Sequence, residues 1–255
     1  MKRIRALRQR KERDRSGLFF VEGIRIVGEA LEVEAPIEEC VVAPDLLTSD
    51  FARRVLHRLQ DFGVPVLEVT SSVFQTLSLR DNPQGIGAVI RQGWDDLHAV
   101  RPGGELCWIA LTGVQDPGNL GAILRTSDAV GGAGVVLIGA TADPYDPGAI
   151  RASMGAIFSQ RLVRCSLDDL RGWKAGCGWH VVGTSDAASV VYREASYDAP
   201  LLLLMGSERE GLSREEMTLC DRVVRIPMMG RSDSLNLAVA AGVMLYEMFN
   251  RRHGD

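Results

Sequence analysis

Three short polar stretches carry the side chains most able to do chemistry, and each follows an apolar run. The first is Asp116-Pro117-Gly118-Asn119-Leu120-Gly121-Ala122-Ile123-Leu124-Arg125-Thr126 and the second is Gly206-Ser207-Glu208-Arg209-Glu210-Gly211. The third is Ile226-Pro227-Met228-Met229-Gly230, with Ser234-Leu235-Asn236 close behind. Glycines on either side of Glu208 allow the backbone to approach a ligand closely. Taken singly, each stretch also has a plainer role. Asn119 suits a helix cap and Arg125 an ordinary surface position; Gly206–Gly211 suits a turn leading to an N-capping Ser213, and Ser234 another N-cap. Other chemistries lack their spacing. Gly131-Gly132-Ala133-Gly134 precedes a strand instead of following one, so no helix N-terminus stands behind it for a phosphate. There is no Walker A, G-x-S-x-G or H-E-x-x-H pattern. Four isolated histidines and five cysteines without a C-x-x-C pair give neither zinc-site spacing nor a disulfide framework.

The elements that must hold these loops are legible as alternating apolar runs. Leu106–Leu111, Val135–Ile138, His180–Gly183, Leu201–Met205 and Val223–Ile226 read as strands buried on both faces of a mainly parallel sheet. Helical spacing covers Asn119–Val130, Leu167–Lys174, Ser213–Cys220 and a long last helix, Leu235–Arg252. In that last helix Leu237, Val243 and Leu245 are expected inside, while Val239, Val243, Tyr246 and Met248 suit either the core or a partner. In open α/β sheets ligands sit outside the carboxyl ends of the strands, which is where all three loops fall. Upstream, strands at Leu18–Val21, Cys40–Ala43, Val64–Val69 and Gly87–Ile90 alternate with helices at Ile24–Glu34, Leu46–Phe62 and a short one capped by Ser71 or Ser72. The expected organisation is a small α/β domain over residues 1–92, a polar linker ending in Pro-Gly-Gly over 93–105, and a larger α/β domain over 106–255.

The chain has 255 residues, 46% hydrophobic and 24% charged, with no apolar run long enough to span a bilayer and no signal-peptide pattern. This is a cytoplasmic profile. The net charge of −4 hides a division: residues 1–15 carry eight basic and two acidic side chains, so the arm holds +6 and the other 240 residues −10. A basic arm on an acidic body can meet a phosphate backbone, or it can be a solubilising, frayed first helix.

Taken together and in this order, N-x-G-x-x-x-R from Asn119 to Arg125, G-x-E-x-x-G from Gly206 to Gly211, and I-P-M followed by S-L-N at Ser234–Asn236 resemble the three motifs of the SpoU family. These are the TrmH-like RNA 2′-O-ribose methyltransferases, and the likeness covers residues 106–250. Phe19-Phe20-Val21-Glu22-Gly23 is similar to the opening of the small RNA-binding domain, itself like certain ribosomal proteins, that many members carry. The resemblance implies a C-terminal trefoil knot that binds S-adenosylmethionine, with Thr184, Gly206, Ile226, Met228 and Leu235 lining the cofactor pocket. It implies Arg125 as the central catalytic residue, arranged with Asn119, Glu208, Ser234 and Asn236, and it implies no metal and a homodimer. A guanidinium ordinarily keeps its proton, so Arg125 is read as clamping a phosphate and stabilising charge on the attacking 2′-oxygen. Many relatives carry S-L-N-V-S, whereas Ala238 stands here for the second serine. The N-terminal domain favours ribosomal RNA over tRNA, and a resistance methyltransferase shares the layout. A base methyltransferase of the wider superfamily and a non-catalytic RNA-binding protein are the rivals; the presence of Arg125, Glu208 and Asn236 together argues against the second.

Overall fold

In the computed structural model, which describes residues 1–254, eleven strands sort into a four-stranded and a seven-stranded sheet. Each sheet anchors one of two compact units. The first comprises Met1–Gln92 with Tyr145–Ser159, and the second Gly93–Pro144 with Gln160–Asp255. The segment Tyr145–Ser159, expected in the larger domain, thus groups with the N-terminal unit. Its helix Pro147–Ser153 follows Tyr145, whose ring lies 4.6 Å from that of Phe19. The segment 93–105 is no free tether, since Leu97 and Val100 are buried in the core of the second unit.

In the first unit the order is β1 (Leu18–Glu22), β4 (Ile86–Arg91), β2 (Ile37–Val42) and β3 (Val66–Glu68). Strand β4 runs antiparallel to β1 and β2, and β3 runs parallel to β2. Gly87 is required where β4 passes β1, because a Cβ there would lie 2.4 Å from the ring of Phe20. The basic arm folds into α1 (Lys2–Ala6) and α2 (Arg10–Ser16) and is not frayed. Ile4 and Leu7 are buried against Phe74 and Leu77 of α5 (Ser71–Leu77), which is capped by Thr70 and not by a serine. Arg13 is almost wholly buried, donating to the carbonyls of Leu7 and Arg8 at 2.8 Å each. The helix expected from Leu46 begins later, as α4 (Asp50–Asp61), because the Ser49 side chain accepts from the Ala52 N–H and fixes its start. Between β1 and β2 lies α3 (Ile24–Glu32).

The second unit carries seven parallel strands: β5 (Trp108–Thr112), β6 (Gly134–Ile138), β7 (Arg161–Cys165), β8 (His180–Thr184), β9 (Val190–Val191), β10 (Leu201–Met205) and β11 (Arg222–Arg225). Their order is β7-β6-β5-β10-β8-β11-β9. Strands β7 and β9 are not legible as apolar runs; both lie at edges, and in β7 the exposed Arg161 and Arg164 flank buried Leu162 and Val163. The centre is β10, whose five residues are all buried; each buried leucine contributes about 1.5–3 kcal/mol. On one face Trp108, Trp173, Trp179, Leu202 and Leu204 form an apolar cluster. Helix α6 (Pro117–Ala129) packs against the C-terminal helix Leu237–His253. That last helix buries Leu237, Ala241, Met244, Leu245 and Met248, half-buries Val243 and exposes Val239 and Tyr246. Near its far end Arg252 donates to the carbonyls of Gly104 and Glu105 at 2.7 and 2.5 Å.

Candidate active site

The sheet order explains why three distant stretches meet. Insertion of β10 between β5 and β8 makes β5, β10, β8 and β11 four consecutive neighbours, all pointing the same way. The first polar stretch leaves β5, the second leaves β10 and the third leaves β11, so all three emerge from one edge of the sheet. Strand β10 is also where the spatial order departs from chain order, the place where open α/β sheets form a ligand crevice.

Helix α6 is capped by Asp116, whose Oδ1 accepts from the Asn119 N–H at 2.8 Å, with Pro117 in the first turn. The Asn119 side chain is therefore not the cap and is left free for other partners. Its Nδ2 donates to Glu208 Oε1 at 3.2 Å, and its Oδ1 accepts from Asn236 Nδ2 at 2.9 Å. Asn236, in turn, caps the C-terminal helix: its Oδ1 accepts from the N–H groups of Ala238 and Val239 at 2.9 and 3.3 Å. Asn236, and not Ser234, fills that role, so the helix starts at Leu237 and not at Leu235. The network orients itself. The helix N–H groups require the Asn236 oxygen, which turns its NH2 to Asn119; Asn119 must then present its oxygen there and its NH2 to Glu208. Every dipole in this relay ends on the carboxylate, so one residue from each of the other two motifs holds Glu208 in place.

The loop carrying Glu208 is shaped by its own backbone. A Cβ on Gly206 would lie 2.0 Å from the carbonyl carbon of Gly211, so the turn itself demands a glycine here. Ser207 and Gly211 form an antiparallel bridge, with Gly211 in the left-handed region at φ 65°. Ser213 and Glu216 then form a reciprocal capping box on the helix Arg214–Met217, and Thr112 donates to Glu216 Oε1 at 2.6 Å. Thr112, Asp116 and Glu216 were not singled out from the sequence. The Asp-Pro pair and the S-x-x-E spacing were the signals available for the last two.

Arg125 and Ser234 are not drawn into this relay. Arg125 is exposed on α6 and makes no hydrogen bond or ion pair among the described residues, so its five donors are open to an anion. Ser234 donates only to its neighbour Asp233, at 3.4 Å. Of the expected cofactor residues, Thr184 ends β8, Gly206 directly follows β10 and Ile226 directly follows β11; the pairs Leu204↔Gly183 and Val224↔Thr184 keep them in neighbouring strands. Met228 and Leu235 lie in the irregular stretch 226–236. Among the described residues no backbone hydrogen bond closes within 227–235, yet Leu235 is 37% and Met229 98% exposed. Unused peptide groups beside uncovered apolar side chains suit a ligand that is part apolar ring and part hydrogen-bonding edge, as S-adenosylmethionine is. Ile226 is half-buried beside them.

The chain has known relatives. Residues 107–246 match the model of the SpoU rRNA Methylase family, and residues 1–88 that of the MRM3-like substrate binding domain. The chain is 32% identical to the 23S rRNA (uridine(2479)-2′-O)-methyltransferase of Streptomyces viridochromogenes, over 96% of this chain and 87% of the relative. It is 29% identical to the 23S rRNA (guanosine(2553)-2′-O)-methyltransferase RlmP of Bacillus subtilis (strain 168), over 95% and 92%. The crystal structure of an AdoMet-bound rRNA methyltransferase from Sinorhizobium meliloti superposes with a TM-score of 0.89 at 40% identity, covering 99% of this chain and 94% of that one.

Proposed function

The chain belongs to the SpoU rRNA methylase family, and from that premise we propose that it methylates the ribose 2′-hydroxyl of a ribosomal RNA nucleotide, with S-adenosylmethionine as the donor. The observation that carries this reading is the Asn236–Asn119–Glu208 relay, which joins one residue from each of the three motif loops above the carboxyl ends of neighbouring strands. S-adenosylmethionine supplies a methyl group activated on a sulfonium. Thr184, Gly206, Ile226, Met228 and Leu235 hold it. The reaction is an in-line displacement, so the chain's task is to align the 2′-oxygen and to receive its proton. Arg125 grips the adjacent phosphate and stabilises the charge developing on the attacking oxygen; the proton leaves through that phosphate or a water molecule. Glu208, Asn119 and Asn236 order the loops around it, and Ser234 helps to arrange the substrate. Two rRNA-modifying relatives act on a uridine and a guanosine respectively, so the shared fold does not by itself dictate the base.

Residues 226–236 with the C-terminal helix form the knotted region of this reading. The exposed Val239 and Tyr246 on that helix supply the apolar surface of a homodimer. The N-terminal unit is the RNA-binding part. The protein works in the cytoplasm, where its five unpaired cysteines stay reduced. Ribose-methylation mapping of total RNA with and without the gene tests the activity: one ribosomal RNA position should lose its methyl group, and no change at any position refutes it. Light scattering on the purified chain tests the dimer, and a monomer at micromolar concentration refutes that part alone.

A further inference from the structure

A second concave site lies within the N-terminal unit, apart from the relay and the motif loops. It is a cavity of about 280 Å³, with Phe20, Ile26, Leu77 and Leu79 among its apolar lining. Four exposed arginines, Arg8, Arg25, Arg80 and Arg151, stand around it against two glutamates. One of these, Glu22, already accepts from Ser78 Oγ at 2.6 Å and from the Leu79 N–H at 3.2 Å. The other, Glu29, lies 3.9 Å from Arg25. Arg8 is held in place by donating to the carbonyls of Thr76 and Ser78 at 3.0 Å each. Arg80 and Arg151 have no side-chain hydrogen bond or ion pair among the described residues, so two guanidinium groups face solvent beside an apolar recess. Met154, also at its edge, is half exposed and ends the helix Pro147–Ser153 in the left-handed region at φ 53°.

A small anion has no use for the apolar lining, and a base locked in a duplex cannot enter a recess. An unpaired nucleotide satisfies both parts: its base stacks on an aromatic or guanidinium face while its flanking phosphates meet arginines. We propose that this cavity receives an unpaired nucleotide of the RNA, with the base beside Phe20 and the neighbouring phosphates on Arg80 and Arg151. The inference rests on the RNA-methyltransferase reading and deepens it by naming where, and in what form, the RNA is held.

The test measures binding of a fluorescein-labelled 12-nucleotide single-stranded RNA, and of its blunt duplex, to the full chain by anisotropy over a range of salt. The single strand should bind more tightly than the duplex. The double variant R80A/R151A should weaken single-strand binding and lower the slope of log K against log salt by about 1.4, or about 0.7 for each lost phosphate contact. Phe20→Leu keeps the charge and most of the apolar volume, so it should weaken binding several-fold with the slope intact. Thermal unfolding and calorimetric S-adenosylmethionine binding report on the folding of each variant. Equal affinity for the duplex, or an unchanged slope in the double variant, overturns the proposal. Methylation of total ribosomal RNA by the wild-type chain, measured separately with tritiated S-adenosylmethionine, tests the underlying reading, so the two can fail independently.

Discussion

Replacing Asn119 with aspartate puts the meeting of the motif loops under direct strain. In the native chain the Asn119 amide gives its proton to Glu208 Oε1 across 3.2 Å and takes one from Asn236 across 2.9 Å. Asn119→Asp keeps the second contact and the shape but sets two carboxylates against each other. At an effective dielectric of about 20, two unit charges some 3–4 Å apart repel by about 4–5 kcal/mol. Both side chains are half-buried, and solvent screening brings this to about 1–2 kcal/mol. Asn119→Ala loses the same donor without gaining the charge. The expected order of stability at pH 8 is therefore wild type, then Asn119→Ala, then Asn119→Asp, the last lying about 2–8 °C below the alanine variant in Tm. The gap should shrink as pH falls, because one proton shared by the two carboxyl groups removes the repulsion. Thermal unfolding followed by calorimetry from pH 5 to 8 reads both effects. If the aspartate variant matches the alanine variant at every pH, Asn119 and Glu208 are not in contact and the loops do not converge as described.

Arg125→Ala should lower turnover by about 10²–10³-fold while S-adenosylmethionine affinity measured by calorimetry stays near wild type; loss of cofactor binding in a folded variant contradicts the phosphate-clamp role. Lys2, Arg5 and Lys11 are exposed and unpaired among the described residues, so changing all three to alanine should flatten the salt dependence of RNA binding by about 2 without lowering Tm. Deleting residues 1–15 is a poorer test, since removing Ile4 and Leu7 from the core costs about 3–6 kcal/mol. Burial pushes the pKa of the Asp221 carboxyl up, but the Val181 N–H and the Lys174 ammonium outweigh that and hold it below its ordinary value. Its contribution is therefore present above about pH 4 and fades as pH falls through the lowered value, so Asp221→Asn should cost about 0.5–1 kcal/mol at pH 7 in urea titrations and progressively less in acid. Burial pushes the Cys40 and Cys107 thiols up to about 12, and mass spectrometry should find both unalkylated by iodoacetamide at pH 8 until the chain is unfolded.

The strands at the centre of each sheet were legible because burial on both faces leaves a continuous apolar run, as in Leu201–Met205. Edge strands such as Arg161–Cys165 lack that signature, since one side meets solvent. Helix starts were misplaced wherever several polar residues competed for the cap. Asp116, Ser49, Thr70 and Asn236 won over Asn119, a start near Leu46, Ser71 and Ser234, a choice made by backbone geometry that spacing does not encode. The site residues were legible as motifs, but their division of labour was not. Asn119 joins two other motifs because strand β10 lies between β5 and β8, and Gly206 is demanded by a clash with Gly211 inside its own turn. The grouping of Tyr145–Ser159 with the N-terminal unit left no trace in composition.

The C-terminal helix is fastened at both ends. Asn236 ties its start to the loop beyond β5, and Arg252 ties its finish to Gly104 and Glu105, which precede β5 in the chain. Seventeen residues at 1.5 Å each make a strut of about 25 Å. A purification tag or truncation placed at Arg252 therefore tugs on the same rod whose other tip steadies Glu208, and harmless-looking surgery on the final turn reaches the carboxylate without touching a single motif residue.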